Sequence, residues 1–452
     1  MIRQNNNYFD SISTTMERSP GFFIWIGFLA ALIILGGYAL LMSLIDSMEI
    51  LESSHHIPWG LTISTYVFLV GSSIGLCMVS SLGFVFGLKR YELIGKRCVF
   101  LALIAIVFGL LSISLHLGHP ERGAIYNALT PNFRSAMWWM GTLYPPYIVF
   151  IAIWFWLLSR ADLSGIADQS EGLKAKIYRL LALDRLKPFL YERLSFEKIE
   201  SWVYRRLPLE RMGLALNAPG ADLRWARILG TMAFIFGLMA YTVEGSLFAH
   251  VEMRPFWYGA LYPIDFLLGA ALCGFAWLMV TVIITYAVKG QKLPENLETL
   301  FYEMAEVLAL LLSLECLFIT YKMGHGLFEP AKAKTIVLFL TGPFSFAFWV
   351  FEITIGLIMP IFILLYGSKK KKPAAVLAGS VMALVGYFVK RYDFVVASQV
   401  YPVIKAEHPL SSYLPTFIET LLIGGIIAAF LLAYTLGVKF LPLKEGGLIQ
   451  TK

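Results

Sequence analysis

Long apolar segments separated by short polar loops run through almost the entire chain. Each segment reaches the length of about 20 residues that an α-helix needs to cross the hydrocarbon core of a bilayer. The pattern predicts an all-α, polytopic membrane protein with about ten transmembrane helices, in windows at 22–45, 60–88, 98–117, 136–158, 228–249, 260–288, 298–323, 336–366, 374–400 and 414–440.

The composition agrees with a membrane protein. Of the 452 residues, 58% are hydrophobic and 15% are charged, and the mean hydropathy is +0.70, which is too apolar for a soluble globule. The four cysteines lie in or beside apolar windows and form no CxxC or CxxCH motif, so the sequence predicts no haem or iron–sulfur cluster in this chain. The polar start of the chain does not resemble a signal peptide, and the first helix is expected to be retained.

Basic residues collect in every second loop. The loops after the second, sixth and eighth windows carry Lys89, Arg90, Lys96, Arg97, Lys289, Lys292 and the run Lys369–Lys372. Since basic loops stay on the cytoplasmic side, these loops are expected on the cytoplasmic side of the inner membrane. The even helix count places both termini on the same side. Topology accounts for the net charge of +7, so no nucleic-acid partner is expected.

This topology divides the chain into five parts. Residues 1–21 form a cytoplasmic tail, 22–158 contain helices one to four, 159–227 are a cytoplasmic helical insert, 228–440 contain helices five to ten, and 441–452 are a second cytoplasmic tail. The insert contains short amphipathic patterns. It is expected to dock to a partner, to lie on the lipid surface or to act as a solvated spacer.

The histidines collect on the opposite side from the basic loops. All seven fall in or beside the loops that are predicted to face outward: His55, His56, His116, His119, His250, His325 and His408. Aromatic residues such as Trp59, Tyr66 and Trp139 lie there as well, but an interfacial aromatic belt needs no function. Such belts gain little from imidazole, so the pattern favours a chemical site at the outer face.

His116 is the central candidate at this face. It lies in the stretch SISLHLGHPER, about one turn inside the end of the third window, which Gly118 and Pro120 terminate. A histidine that faces lipid on one side and loop groups on the other suits a ligand with a polar head and an apolar tail, such as a membrane quinone. The alternative is that His116 only contacts the free carbonyls of a helix C-terminus.

Acidic residues inside the apolar windows form a second group of candidates, comprising Glu244, Glu306, Glu315, Glu352, Asp393 and Glu419. An ionised group at the bilayer centre costs about 2.5 kcal/mol or more, so each should face protein or water. Glu306 and Glu315 lie about 13 Å apart along one helix, and with Glu352, Arg391 and Asp393 they could relay protons. Alternatively, these residues only join helices, for example by pairing Arg391 with Asp393 or Glu352.

Several motifs follow one another in an order that resembles the NrfD/PsrC-like family, the polysulfide reductase membrane subunits. They are PWG from Pro58, YVFLVGSSIG from Tyr66, HLGHPERG from His116, FRSAMWWMGT from Phe133 and YLPTFIETLLIGGIIAAF from Tyr413. Within the family, the chain most resembles the DsrP-type membrane subunit of the DsrMKJOP complex of sulfate reducers. Hydrogenase, quinone reductase complex and alternative complex III relatives are competitors.

The resemblance implies a cofactor-free subunit with two four-helix bundles at its core, which binds menaquinone or another quinone as substrate at the outer face. It implies electron exchange with a periplasmic-side iron–sulfur, ferredoxin-like subunit and assembly with further redox subunits and membrane lipid. His116 matches the quinone-side histidine of the family. The candidate quinone-binding residues are His56, Trp59, Tyr66, His116, His119, Trp139, Glu244 and His250.

One position departs from the pattern of the family. Many relatives carry an acid directly after the Trp that begins the fourth helix, whereas here Met140 follows Trp139. Glu121 or Glu244 is therefore the expected proton-exchange partner of His116, and Glu121 is assigned with His116 to the catalytic pair.

Two other functional classes remain open. A secondary transporter or an ion channel would also contain buried acids and broken helices, although the chain shows no clear inverted repeat. A b-type cytochrome would require two histidines that face each other across helices, whereas only His116 lies clearly within a window.

Overall fold

The computed structural model describes residues 20–45, 57–117, 119–183, 221–400 and 413–443. Within these ranges the chain is helical and contains no strand. Ten of the described helices are long and apolar enough to cross a membrane. The predicted all-α, multi-pass fold is confirmed.

Thirteen helices follow one another in the described ranges. They are α1 (Pro20–Ile45), α2 (Leu61–Phe84), α3 (Lys89–His116), α4 (Pro120–Leu129), α5 (Ala136–Asp168), α6 (Gly172–Ala182), α7 (Ala221–Ala249), α8 (Tyr262–Val288), α9 (Glu295–Leu327), α10 (Pro330–Leu340), α11 (Ala347–Lys369), α12 (Pro373–Ala397) and α13 (Phe417–Phe440). All except α4, α6 and α10 are long and apolar enough to span a membrane. The first half of α11, Ala347–Ile358, is π-helical.

The spanning helices form two four-helix groups and one pair. The first group contains α2, α3, α5 and α7, and the second contains α8, α9, α11 and α12. Helix α2 also packs on α8 and α12 and so joins the groups, while α1 packs mainly on α13 beside them. In α2, 89% of the apolar window is buried, against 17% in α1. Helix α2 is therefore at the centre, and α1 is at the periphery.

Glycine pairs set two of the helix crossings. Gly75 of α2 faces Gly274 of α8, and Gly36 of α1 faces Gly425 of α13. A Cβ atom at any of these positions would collide with the backbone of the other helix. Because small residues let membrane helices approach closely, these pairs decide where α2 meets α8 and where α1 meets α13.

Consecutive spanning helices run in opposite directions, so the bundle has two chemically different ends. One end, here called the histidine end, carries His116, His119, His250 and His325. The other, here called the basic end, carries Lys89 at the start of α3, Lys289 directly after α8 and Lys369 at the end of α11. His55, His56 and His408 lie outside the described residues.

The predicted insert, 159–227, is described at both of its ends, and residues 184–220 lie outside the described ranges. Helix α5 continues to Asp168, and α6 packs back against it. The hydroxyl of Tyr178 in α6 donates to the carbonyl of Phe440 at 2.8 Å, which ties α6 to the end of α13. This part of the insert is therefore attached to the basic end of the bundle.

Candidate functional site

The imidazole of His116 lies at the histidine end, where the last residue of α3 meets the first turn of α2. Its Nδ1 is 3.1 Å from Oγ1 of Thr62. One turn earlier in α3, the hydroxyl of Ser112 donates to the carbonyl of Thr62 at 2.8 Å. These two contacts hold the end of α3 against α2, and part of the imidazole stays exposed.

A carboxylate from α13 holds the same turn of α2. Glu419 accepts hydrogen bonds from the backbone N–H groups of Leu61 at 2.8 Å and Thr62 at 3.3 Å. Helix N-termini leave such N–H groups without intrahelical partners and favour negative charge. Glu419 therefore fixes the backbone of Thr62, whose side chain contacts His116.

The hydroxyl of Tyr413 supports this carboxylate by donating to Glu419 at 2.5 Å. Burial and the neighbouring carboxylate of Glu419 raise the pKa of Tyr413 well above its ordinary value. The hydroxyl therefore remains protonated and keeps its hydrogen bond to Glu419 at physiological pH.

A second group of polar residues begins one turn further along α2, at Tyr66. Its hydroxyl donates to Sδ of Met140 at 3.3 Å, and Glu244 is close enough to interact with it electrostatically. The carboxylate of Glu244 accepts a hydrogen bond from Tyr144, while its Oε1 is buried and has no hydrogen-bond partner among the described residues. Glu244 and Met140 thus both lie beside the hydroxyl of Tyr66.

The two groups share one face of α2. Thr62 and Tyr66 are four residues apart, so their side chains point the same way, separated by about 6 Å along the helix axis. The structure therefore places His116 of α3 beside the first turn of α2, and Glu244 of α7 beside the next turn, at Tyr66.

Trp59 lies just before α2 and is held in place by Gln399, which follows α12. Its backbone N–H donates to the side chain of Gln399 at 3.1 Å, and its carbonyl accepts from the same side chain at 2.8 Å. Its ring stacks on that of Trp257, with the centroids 5.2 Å apart. Trp59 therefore belongs to the wall that adjoins the start of α2.

The remaining candidates lie on the surface of the histidine end. His119 and Glu121 are exposed and interact with each other at 3.0 Å. His250 is also exposed, and Trp139 is 37% exposed. His56 lies outside the described residues. The structure does not join these residues to the contacts of His116.

A buried ion cluster occupies the second four-helix group. Lys390 of α12 pairs with both Asp265 of α8 and Glu315 of α9. Arg391 donates to Asp265 at 3.1 Å, donates to the hydroxyl of Tyr387 and lies over the ring of Phe266 at 4.0 Å. Lys390 therefore ties α8, α9 and α12 together.

Arg391 does not pair with Asp393 or Glu352, which the sequence suggested as its partners. Arg391 and Asp393 are two residues apart on α12, so they point to different faces of the helix. Both carboxylate oxygens of Asp393 are buried and have no hydrogen-bond partner among the described residues. The partner of Arg391 is Asp265 instead.

Glu352 lies in the π-helical part of α11 and lines a small cavity together with Glu315 and Lys390. The cavity volume of about 10 Å³ is enough for about one water molecule. Glu306 lies apart, towards the basic end, where it accepts from Ser368 at 2.7 Å. Of the proposed proton-path residues, the structure groups Glu315, Glu352 and Arg391 and leaves Glu306 outside the cluster.

Sequence reasoning missed several residues that these groups contain. Asp265 and Lys390 are charged residues inside apolar windows, which is the signal that singled out the glutamates, so they could have been found. Thr62 carries no such signal, because a threonine in an apolar helix is ordinary. Only its contacts with His116 and Glu419 reveal it.

The comparisons with known proteins agree with this architecture. The family model described as "Polysulphide reductase, NrfD" matches residues 49–403. The chain belongs to the NrfD family. The predicted resemblance is therefore confirmed, and four of its five motifs fall within the matched range.

Similarity to individual members of the NrfD family extends over most of the chain. This chain is 27% identical over 433 residues to a selenate reductase subunit of Mesobacillus selenatarsenatis, covering 93% of both chains. It is 22% identical over 443 residues to the Hdr-like menaquinol oxidoreductase integral membrane subunit of Archaeoglobus fulgidus, again covering 93% of both. It is 23% identical over 351 residues to protein NrfD of Escherichia coli, covering 75% of this chain and 95% of that one.

Proposed function

We propose that this chain is the quinone-binding membrane subunit of an oxidoreductase complex and that the quinone head group binds beside His116. The observation that carries the proposal is a partly exposed imidazole at a membrane boundary, fixed by Thr62 in the central helix of an NrfD-family protein. One similar protein is named as a menaquinol oxidoreductase subunit and another as a reductase subunit, so menaquinone is the favoured substrate.

The chemistry of this site is proton-coupled electron transfer. Oxidation of a quinol to a quinone releases two protons and two electrons. An imidazole, with an unperturbed pKa of about 6.5, can take a hydroxyl proton as the electrons leave. The electrons pass to a redox centre in a docked partner, for which an iron–sulfur subunit at the histidine end is the candidate. The chain is thus part of an oxidoreductase complex and acts with its partners.

Glu244 is the proposed proton partner of His116. The sequence left Glu121 and Glu244 as alternatives, and their environments differ. Glu121 is exposed and paired with His119, whereas Glu244 is buried beside Tyr66, with one oxygen free of hydrogen bonds to the described residues. Glu244, on α7, is buried beside the turn of α2 that follows Thr62. It is therefore better placed than Glu121 to exchange a proton with the site of His116.

The orientation in the membrane is proposed from charge. Because basic loops stay in the cytoplasm, the basic end and both termini are assigned to the cytoplasmic side of the inner membrane, and the histidine end faces the periplasm. Glu315, Glu352 and Asp393, with Arg391 as a fixed positive charge, then form the proposed proton route, which continues through Glu306 towards the cytoplasmic side.

The experiment that tests the proposal compares His116→Ala with His325→Ala in the assembled complex. His325 lies at the same end but pairs with Glu329 at 3.4 Å, so it is a matched control. Removal of a base from a proton-coupled step costs about 10²- to 10⁴-fold, so we expect that loss in menaquinol turnover for the first variant and little change for the second. Near-normal turnover of assembled His116→Ala would contradict the proposal.

A further inference from the structure

We infer that Gln399 is a positioning residue for the proposed quinone site: its amide fixes the entry of α2, residues 59–62, and thereby the contact between Thr62 and His116. The inference rests on the proposed quinone function and deepens it. None of the sequence motifs contains Gln399. The residue follows α12 of the second four-helix group, whereas the contact that it supports joins α2 and α3 of the first.

The amide of Gln399 contacts both backbone groups of Trp59. Its Oε1 accepts from the N–H of Trp59 at 3.1 Å, and its Nε2 donates to the carbonyl of Trp59 at 2.8 Å. Nε2 also donates to the carbonyl of Val395 in α12, at 2.8 Å. Because the amide oxygen and both amide hydrogens then have partners, the side chain holds Trp59 in one position relative to α12.

Gln399 is itself held by the loop between α7 and α8. The residue is buried, and its backbone carbonyl accepts from Arg254 of this loop at 3.0 Å. Such a cation is favourable at a helix C-terminus, where carbonyls lack intrahelical partners. Trp257 of the same loop donates to the carbonyl of Phe394 at 2.7 Å and stacks on the ring of Trp59. The loop therefore keeps the end of α12 and Trp59 together.

The chain between Trp59 and Thr62 has little room to move. The carbonyl of Gly60 accepts from the backbone N–H of Ser64 at 3.1 Å, so the helical hydrogen bonds begin directly after Trp59. A Cβ atom on Gly60 would collide with the hydroxyl of Tyr413, so the backbone is already in close contact on that side. The position that Gln399 gives to Trp59 is therefore passed on to Thr62.

Two helices thus support the entry of α2 from different directions. Glu419 of α13 accepts from the first backbone N–H groups of α2, including that of Thr62, and Gln399 holds Trp59. The carboxylate leaves Trp59 itself unsupported, because its bonds begin two residues later. Both supports are needed to keep Oγ1 of Thr62 at 3.1 Å from Nδ1 of His116.

The position of the imidazole matters because proton transfer needs hydrogen-bond reach. A base acts only within about 2.6–3.2 Å of the proton's heavy atom, or through one water. A displacement of about 1 Å, even one caused far from the reaction, costs up to about 10²-fold in rate. Gln399 therefore acts on the reaction through Trp59, Thr62 and His116, without contacting the quinone.

The test measures kcat and KM for menaquinol in the assembled complex. Gln399→Met keeps the length of the side chain and removes its hydrogen bonds. Ser398→Ala is the matched control, because Ser398 is the adjacent residue and is also buried, but its hydroxyl donates only within its own helix, to Phe394 at 3.2 Å. We expect kcat to fall about 10- to 10²-fold in Gln399→Met, with a smaller change in KM, because the base is misplaced in the reaction step. Ser398→Ala should behave as the wild type.

A double-mutant cycle with Thr62→Val separates positioning from a general loss of stability. If Gln399 acts through Thr62, then Thr62→Val alone lowers kcat, and adding Gln399→Met lowers it by no more than about 2-fold further, whereas two independent structural losses would multiply. Gln399→Asn keeps the amide but is one methylene shorter, so it should also lower kcat, and it takes the place of Gln399→Met in the cycle if that variant fails to assemble.

The outcomes distinguish the inference from the proposed function. Wild-type kcat in assembled Gln399→Met or Thr62→Val, or losses that multiply in the double variant, would refute the positioning role. If His116→Ala is inactive in the same assay, the quinone function still stands. A wild-type complex without menaquinol turnover would overturn both.

Discussion

Replacement of Lys390 by methionine tests the buried ion cluster most directly. Lys390 is the cation that pairs with Glu315, whose second oxygen has no hydrogen-bond partner among the described residues. Asp265, the other acid that contacts Lys390, keeps its bond to Arg391. The substitution therefore leaves one acid, Glu315, without its paired cation in the membrane interior.

Two routes lead to a similar expected loss of stability. Removal of one partner from a buried ion pair costs about 3–5 kcal/mol when the remaining charge stays uncompensated. If Glu315 instead takes up a proton at pH 7, neutralising a carboxyl with an ordinary pKa of about 4.3 costs about 3.7 kcal/mol. In the second case the folded variant binds one more proton than the unfolded chain. Its loss of stability relative to the wild type should therefore grow as the pH rises, by about 1.4 kcal/mol per pH unit.

The buried thiols provide the assay. Cys77, Cys98 and Cys273 are buried, so a thiol-reactive fluorophore reports thermal unfolding of the purified protein. Lys96→Met is the control, because the partner of Lys96, Asp162, is half exposed and such pairs contribute only about 0–1 kcal/mol. The melting temperature of Lys390→Met should fall well below that of Lys96→Met.

A second substitution identifies the cause of the loss. In the double variant with Glu315→Gln, the acid that lost its paired cation is also removed, so part of the stability should return. If Lys390→Met melts with the wild type, or if Glu315→Gln adds a further loss instead of a recovery, the assignment of Lys390 as the required counter-ion of Glu315 is wrong.

Other positions give independent tests. An exposed cysteine at Glu171 or Lys370, at the basic end, should resist an impermeant thiol reagent added to intact cells, whereas one at Thr130 should react; the reverse pattern would invert the proposed orientation. Glu419→Ala removes the carboxyl acceptor of two backbone N–H groups in the first turn of α2, so we expect a loss of about 1–3 kcal/mol and slower quinol turnover, and an unchanged melting temperature would rule out its capping role. Glu315→Gln in vesicles should lower the membrane potential per electron; an unchanged potential at unchanged turnover would leave Glu315 a purely structural residue, since such interhelical contacts contribute only about 0.6 kcal/mol.

The amino-acid sequence by itself determined the class of protein and the order of its helices. Ten apolar windows predicted ten spanning helices, because a helix satisfies its own backbone groups in lipid and needs only sufficient length. The alternation of helices then placed His116 and the other described histidines at one end. The ordered motifs indicated the family, which the match over residues 49–403 shows.

Only the tertiary structure decided which side chains meet. A helix such as α2, buried on all sides, has no polar stripe that marks the face towards each neighbour, so the sequence cannot show how it is rotated. The contact of His116 with Thr62, the support from Glu419 and the pairing of Arg391 with Asp265 all depend on these rotations. Charge within a window predicted that a residue would need a partner, but the packing of helices distant in sequence chose it.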